Sequence, residues 1–311
     1  MSRFIRYSFI LFSFFSISVF ESCTEKGYII TNETPFIDQS EDHSTFTKET
    51  DEVFNDVNAA IEIFSAFRGR INSPLRVICE ASAVLDSTAT ERRITITYDG
   101  RNCSGTRNRY GEVVLTMPLS QKWTNAGALL TVNIKNLIIT RLRDNQKFIL
   151  NGIHTIKNVT GGSVKDLSTI GTVVHEIKST AGMTLDFSNN ARRLWYVYKK
   201  RTFTYDNGIV ISTVGMHNDG TISGISEWGT TRAGTFFSTV IEKPMVIKQS
   251  CDYRLVSGEV SHRNLIGTLN VLFGLDGAGN PTSCPGTSAL YYFKLTYTNP
   301  SGDSKIFITP Y

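Results

Sequence analysis

Five histidines, His43, His154, His175, His217 and His262, and four cysteines beyond residue 23, Cys79, Cys103, Cys251 and Cys284, are the obvious reactive side chains of this 311-residue sequence. Zinc needs several such ligands at knuckle spacing, and no two stand as Cys-x-x-Cys, so spacing argues against a zinc site. His175-Glu176 has no second histidine at helical spacing and therefore makes no zincin motif. His43 falls in a polar stretch and His217 in a turn pattern, positions that do not fix a general base. His154 shares an alternating face with Phe148, Leu150 and Ile156, where a hydrogen-bonded core histidine is expected. There is no nucleophile elbow, phosphate loop or dinucleotide fingerprint, and Gly224-Ile225-Ser226-Glu227-Trp228 lacks the closing glycine of Gly-x-Ser-x-Gly. Asp276-Gly277-Ala278-Gly279-Asn280 offers one carboxylate where tight calcium sites use several. The expectation is no catalytic residue, no metal, no cofactor and no enzyme.

An even set of four cysteines points to two disulfides in an exported protein. Their surroundings echo each other. From Cys79 the chain passes through the strand pattern Ile94–Tyr98 and Asp99-Gly100 to Cys103, and from Cys251 through Leu269–Phe273 and Asp276-Gly277 to Cys284. The echo predicts Cys79–Cys103 and Cys251–Cys284, and is compatible with two related halves.

Aromatic residues are the stronger binding signal. Trp195, Tyr196, Tyr198, Phe203 and Tyr205 crowd both faces of one strand pattern, interleaved with Lys199, Lys200 and Arg201. Either both faces are covered, or one is an aromatic platform; Trp195, Tyr196, Tyr198 and Trp228 are the candidate ligand-binding residues. The basic pairs Arg92-Arg93, Arg107/Arg109 and Arg192-Arg193, and the run Lys199-Lys200-Arg201, alternate with acidic neighbours. They read as solvated strand faces, and a net charge of +4 is too mild for a nucleic-acid partner.

The elements that would position these groups follow from periodicity. Arg3 and Arg6 precede an apolar run from Tyr7 to Phe20, which is the pattern of a secretory signal and too short for a membrane span. Phe20-Glu21-Ser22-Cys23 resembles a bacterial lipobox, with Phe20 where leucine and Glu21 where a small residue are usual; the resemblance implies cleavage before Cys23 and its lipidation. Residues 1–22 are thus expected as signal and 23–50 as a polar flexible tether. A helix is expected over Asp51–Arg70, with Val53, Phe54, Val57, Ala60, Ile61, Phe64 and Phe67 on one stripe. Beyond Pro74 the period becomes two, with about fourteen strands and hairpin signals at Asp206-Asn207-Gly208 and Asn218-Asp219-Gly220. The expected fold is all-β: a large curved antiparallel sheet or two packed sheets over residues 51–311, with the N-terminal helix against the sheet.

This order of lipobox, acidic helical segment and β-rich body with early and late cysteine motifs resembles a family of uncharacterised envelope lipoproteins of Bacteroidetes bacteria. The resemblance implies attachment to the membrane through acylated Cys23, most simply in the outer membrane, and no assigned activity. A non-catalytic binding or structural role is the leading expectation. The alternatives are a carrier holding an apolar ligand or lipid under the helix and a glycan-binding module with exposed aromatics; a protein partner also remains open. An integral outer-membrane barrel is disfavoured because Lys135 and Arg141 stand mid-strand and Pro310 interrupts the last one.

Overall fold

Wherever the sequence alternates with period two, the backbone is strand. The computed structural model describes residues 34–64, 75–282, 284 and 290–310. After helix α1 (Thr34–Ile63) come β1 (Leu75–Ile78), β2 (Ala81–Ser87), β3 (Glu91–Arg101), β4 (Arg107–Pro118), β5 (Ala128–Arg141), β6 (Lys147–Asn158), β7 (Thr172–Ser179) and β8 (Met183–Phe187). The chain continues through β9 (Arg192–Tyr205), β10 (Ile209–Gly215), β11 (Ile225–Thr230), β12 (Phe236–Lys248), β13 (Arg254–Asn264), β14 (Gly267–Leu275), β15 (Tyr292–Thr298) and β16 (Ser304–Pro310). All sixteen belong to one antiparallel sheet. The fold is therefore all-β with one N-terminal helix, as the periodicity implies.

The sheet is a meander with two local doublings. Between β6 and β9 the gap is filled first by β7 and then by β8, and between β9 and β12 by β10 and β11. Its ends, β1 and β16, are not hydrogen-bonded to each other, so among the described residues the sheet stays open rather than closing as a barrel. Pro310 sits on the outermost strand, where a missing N–H is harmless. Register shifts between β4 and β5, β5 and β6, and β12 and β13 mark bulges in the strands. At the first of them a Cβ on Gly111 (φ +131°) would lie 2.4 Å from the carbonyl oxygen of Asn136, so only glycine fits. Asn207 and Gly208, at φ 49° and 142°, make the expected β9–β10 hairpin turn.

The helix begins at Thr34, inside the stretch expected to be a tether, and ends at Ile63. The polarity that disguised it has a physical cause. Residues 34–63 carry eight acidic side chains and one lysine, and several of these acids find partners on the inner face of the sheet. Asp42 receives Arg193 at 2.7 Å and Arg232 at 3.0 Å; Glu49 pairs with Arg107; Glu52 lies 3.1 Å from Arg107, and Asp56 2.9 Å from Arg109. Asp51 pairs with Arg201, and Tyr98 donates to Asp56 at 2.7 Å. Arg107, Arg109, Arg193, Lys199 and Arg201 are buried, which corrects the reading of these basic residues as solvated faces. The apolar stripe is placed as its spacing implies: Val53, Phe54, Val57, Ala60, Ile61 and Phe64 are all buried, joined two turns earlier by Phe46, which stacks on Trp195 at 4.3 Å. Residues 65–70, the expected end of this helix with Phe67, lie outside the described residues, as do the signal segment and Cys23.

Both cysteine pairings follow the echo, Cys79 with Cys103 and Cys251 with Cys284, each with Cα atoms 5.3 Å apart. The first links the turn before hairpin β2–β3 to the turn after it, and the second does the same for β13–β14. Loops of 24 and 33 residues closed this way are worth roughly 3–4 kcal/mol each in the chain-entropy model.

Because α1 completes the core rather than covering it loosely, Phe46→Ala is expected to cost about 3–5 kcal/mol. Urea denaturation followed by circular dichroism measures this; a loss below 1 kcal/mol would mean the first half of the helix detaches freely.

Candidate functional site

The helix face flanking the Arg107 and Arg109 contacts carries His43, Ser44, Thr47, Lys48 and Asp51, three and four residues apart. It forms one wall of a cavity of about 570 Å³, within the roughly 300–1,000 Å³ of small-molecule pockets. The facing wall comes from β12 to β15: Ile241, Met245, Ile247, Leu255, Val260, Val271, Phe273 and Phe293. Val260 and Val271 are buried there, while Ile241, Met245, Phe273 and Phe293 stay half-buried around them. The β12–β13 register is irregular along this wall, with shifts between Ile241 and Lys243, Lys243 and Val246, and Val246 and Ile247, the mark of strands bent by bulges. Lys199 and Arg201 from β9, Thr213 from β10 and Ser226 from β11 form the floor.

Beneath the polar wall lies a buried network centred on Glu227, whose side chain is 0% exposed. Its carboxylate accepts hydrogen bonds from Trp195 Nε1 at 2.9 Å, Thr47 Oγ1 at 3.2 Å and Lys199 Nζ, and stands 3.2 Å from His43 Nε2. Burial alone would raise the Glu227 pKa, but Lys199 and His43 outweigh it and hold the group well below the ordinary carboxylate range. A carboxylate so saturated anchors neighbours and is poorly placed to take a proton from a ligand. Next to it, His262 bonds Thr239 Oγ1 through Nδ1 at 2.9 Å and meets the His43 ring edge-on at 4.4 Å. Burial, then the nearby His43, pushes His262 well below 6.5. On the far side of α1 a more polar pocket of about 510 Å³ gathers Lys48, Glu49, Arg107, Arg141 and Arg143, so Lys48 stands between two basic environments.

The residues singled out from sequence fare unequally. Trp195 is fully buried under Phe46 and Arg193 and cannot belong to a platform. Tyr196 and Tyr198 take the outer face of β9; Tyr196 stacks on Trp228 at 5.5 Å, His217 stacks on the same indole at 4.0 Å, and Lys178 lies over Tyr198. The strand thus has one buried and one half-exposed face rather than two covered ones. His43, expected in a tether, sits on α1 beside Glu227. His154 is buried as its alternation implies, but its Nδ1 has no hydrogen-bond partner, against the expectation of a hydrogen-bonded core histidine. Asp276 caps its own loop by accepting the Ala278 and Asn280 N–H groups, both at 2.9 Å. Among the described residues no cluster of three or more His, Cys, Asp or Glu is arranged to hold a metal, and none of their helices is long and apolar enough to cross a membrane. Sequence reasoning missed Lys199, Arg201, Glu227 and the β12–β15 apolar wall. The signal for the first two was present, since they alternate in phase with Trp195 and Phe203. No protein-family model, curated protein or solved structure matches the chain.

His154 and His175 set a pH dependence. Burial lowers each to about 4, with Arg201 adding to the effect at His175. Below their unfolded value of 6.5 the unfolded chain takes up protons that the fold refuses, so this stability is present above pH 6.5 and lost as pH falls toward 4. At about 1.4 kcal/mol per unit, each histidine withdraws on the order of 3 kcal/mol. Glu49, raised to about 7 by burial against the opposition of Arg107, works the other way between pH 7 and 4.5. Two histidines outweigh one glutamate, and His262 adds to them, so stability falls on acidification. Neither ring nitrogen of His175 has a hydrogen-bond partner, so His175→Phe is expected to stabilise the protein by roughly 1–3 kcal/mol at pH 7 and more at pH 5. Urea titrations at the two pH values measure both gains; destabilisation at pH 7 would contradict the unpartnered state of the ring.

Proposed function

We propose that this chain is an exported, lipid-anchored binding protein of the cell envelope that holds an apolar ligand without catalysing a reaction on it. One observation carries the reading: an open cavity of about 570 Å³ beside the helix, lined on one wall by half-buried aliphatic and aromatic side chains. The two disulfides fit an oxidising compartment, and the signal-like segment ending in Cys23 supplies the anchor. A glycan platform is less well supported, because Trp228 is engaged by two stacked rings and Trp195 is buried.

The binding test uses the full chain and the neutral fluorophore 1-aminoanthracene, whose emission rises in apolar surroundings. Saturable binding is expected, and Met245→Trp, which fills the cavity from its half-buried wall, is expected to weaken it at least tenfold; binding unchanged by Met245→Trp would place the ligand elsewhere. For the anchor, Cys23→Ser is expected to move the protein from the membrane to the soluble fraction, since acyl chains supply about 0.8 kcal/mol per buried methylene. Retention in the membrane pellet would overturn the lipid anchor.

A further inference from the structure

The cavity is amphipathic, and its polar wall is positively biased. Lys48, Lys199, Arg201 and Arg254 line it against a single lining carboxylate, Asp51, with Glu227 buried behind. Two of these cations hold unspent capacity. Lys48 is exposed and has no ion pair among the described residues; partial burial and Arg107 lower its pKa, so an anion beside it is favoured twice, by attraction and by relief of that repulsion. Arg201 has a side chain only 9% exposed, pairs with Asp51, and keeps Nε without a hydrogen-bond partner. A buried, unsatisfied guanidinium N–H costs free energy that a ligand oxygen would recover. Ser44 and Thr47, on the same helix face, add hydroxyls to this end. The opposite wall, from Met245 to Phe293, is mostly hydrocarbon and ring surface, with Tyr253, Arg254 and His262 lining the cavity from β13 and the turn before it.

Building on the binding reading above, we propose that the ligand is a fatty-acyl carboxylate, seated with its head at Lys48 and Arg201 and its single chain along Met245, Val271 and Phe273. A cavity of this size suits one drug-sized molecule, hence one chain rather than the two of a bilayer phospholipid. The head is drawn by charge at the helix wall, and each methylene laid against the β12–β15 wall gains about 0.8 kcal/mol.

The test measures tritiated oleic acid, oleyl alcohol and oleoyl lysophosphatidate binding to the full chain carrying Cys23→Ser, at pH 8 and low salt. Oleate is expected to bind at least tenfold more tightly than the alcohol, as one charge-assisted hydrogen bond allows. Added salt and Lys48→Glu, a change at an exposed position, are each expected to collapse the acid-to-alcohol ratio toward one. Equal affinity for acid and alcohol would overturn the head-group assignment while leaving the apolar cavity intact. Tighter binding of lysophosphatidate than of oleate would replace the carboxylate by a phosphate monoester. If neither acid nor alcohol binds, the assignment and the binding reading both fall.

Discussion

The fold depends on a match of charge between one helix and the inner face of one sheet. Arg193 has a side chain with no exposed surface and Arg107, Arg109 and Arg201 have little; isolated, any of them would carry a prohibitive desolvation cost. The acids of α1 arrive in the register that meets them, Asp42 at β9, Glu49 and Asp56 at β4, and Asp51 again at β9. Buried pairs of this kind add little net stability beside well-packed hydrocarbon, yet breaking one half is severe. Their main consequence is positional. An apolar stripe alone tolerates sliding along a greasy sheet, whereas a helix whose carboxylates must each find a guanidinium has one register and one rotation. That rotation turns His43, Ser44, Thr47, Lys48 and Asp51 toward β12–β15.

The same constraint separates core from cavity. Where the sheet carries both arginines and large apolar residues, from β3 through β9, the helix is held close and the space is filled by Phe46, Phe54, Ile61 and Phe64. Past β10 the apolar wall begins, beside the buried polar groups Ser226, Glu227, Thr239 and His262, and Asp42 is the α1 acid that reaches a cation there, Arg232 in the β11–β12 turn. The β12–β13 register is interrupted by bulges there, and a second, smaller cluster around Val260, Leu269 and Val271 forms without the helix. The cavity is the interval between two cores that do not merge.

Much of this was legible in the chain and some was not, for separable reasons. Strand positions follow from local alternation, so the Ile94–Tyr98 pattern lies in β3 and the Leu269–Phe273 pattern in β14, as expected. The disulfide pairing was readable because each pair brackets a local hairpin. The start of α1 was not, because Asp42 and Glu49 look like solvent-facing acids until the arginines of β4 and β9 are known to be inside. For the same reason Arg107, Arg109 and Arg193 were read as surface. A pairing between residues some 60 to 150 positions apart leaves no trace in local periodicity. Binding candidates chosen for aromatic character went astray at Trp195, whose ring is the floor on which Phe46 packs, while the cavity wall is mostly aliphatic and drawn from four strands.

Burial in this molecule is inverted relative to the usual partition. Arginines, a lysine and a glutamate lie under the helix with almost no exposed surface, while Met245, Ile247, Phe273 and Phe293 keep part of theirs in the cavity. Exposed apolar residues scattered singly mean little; a buried ionic network beside a contiguous uncovered apolar wall is the informative arrangement. Each element has its own cost, desolvation on one side and wet hydrocarbon on the other, and hydrophobic collapse alone would have closed the wall against the helix. What prevents closure is that the facing helix side is polar: folding β12–β15 onto Ser44, Thr47 and Lys48 would strip water from two hydroxyls and an ammonium without supplying acceptors. A molecule with one polar end and one hydrocarbon chain, as proposed above, would satisfy both walls at once.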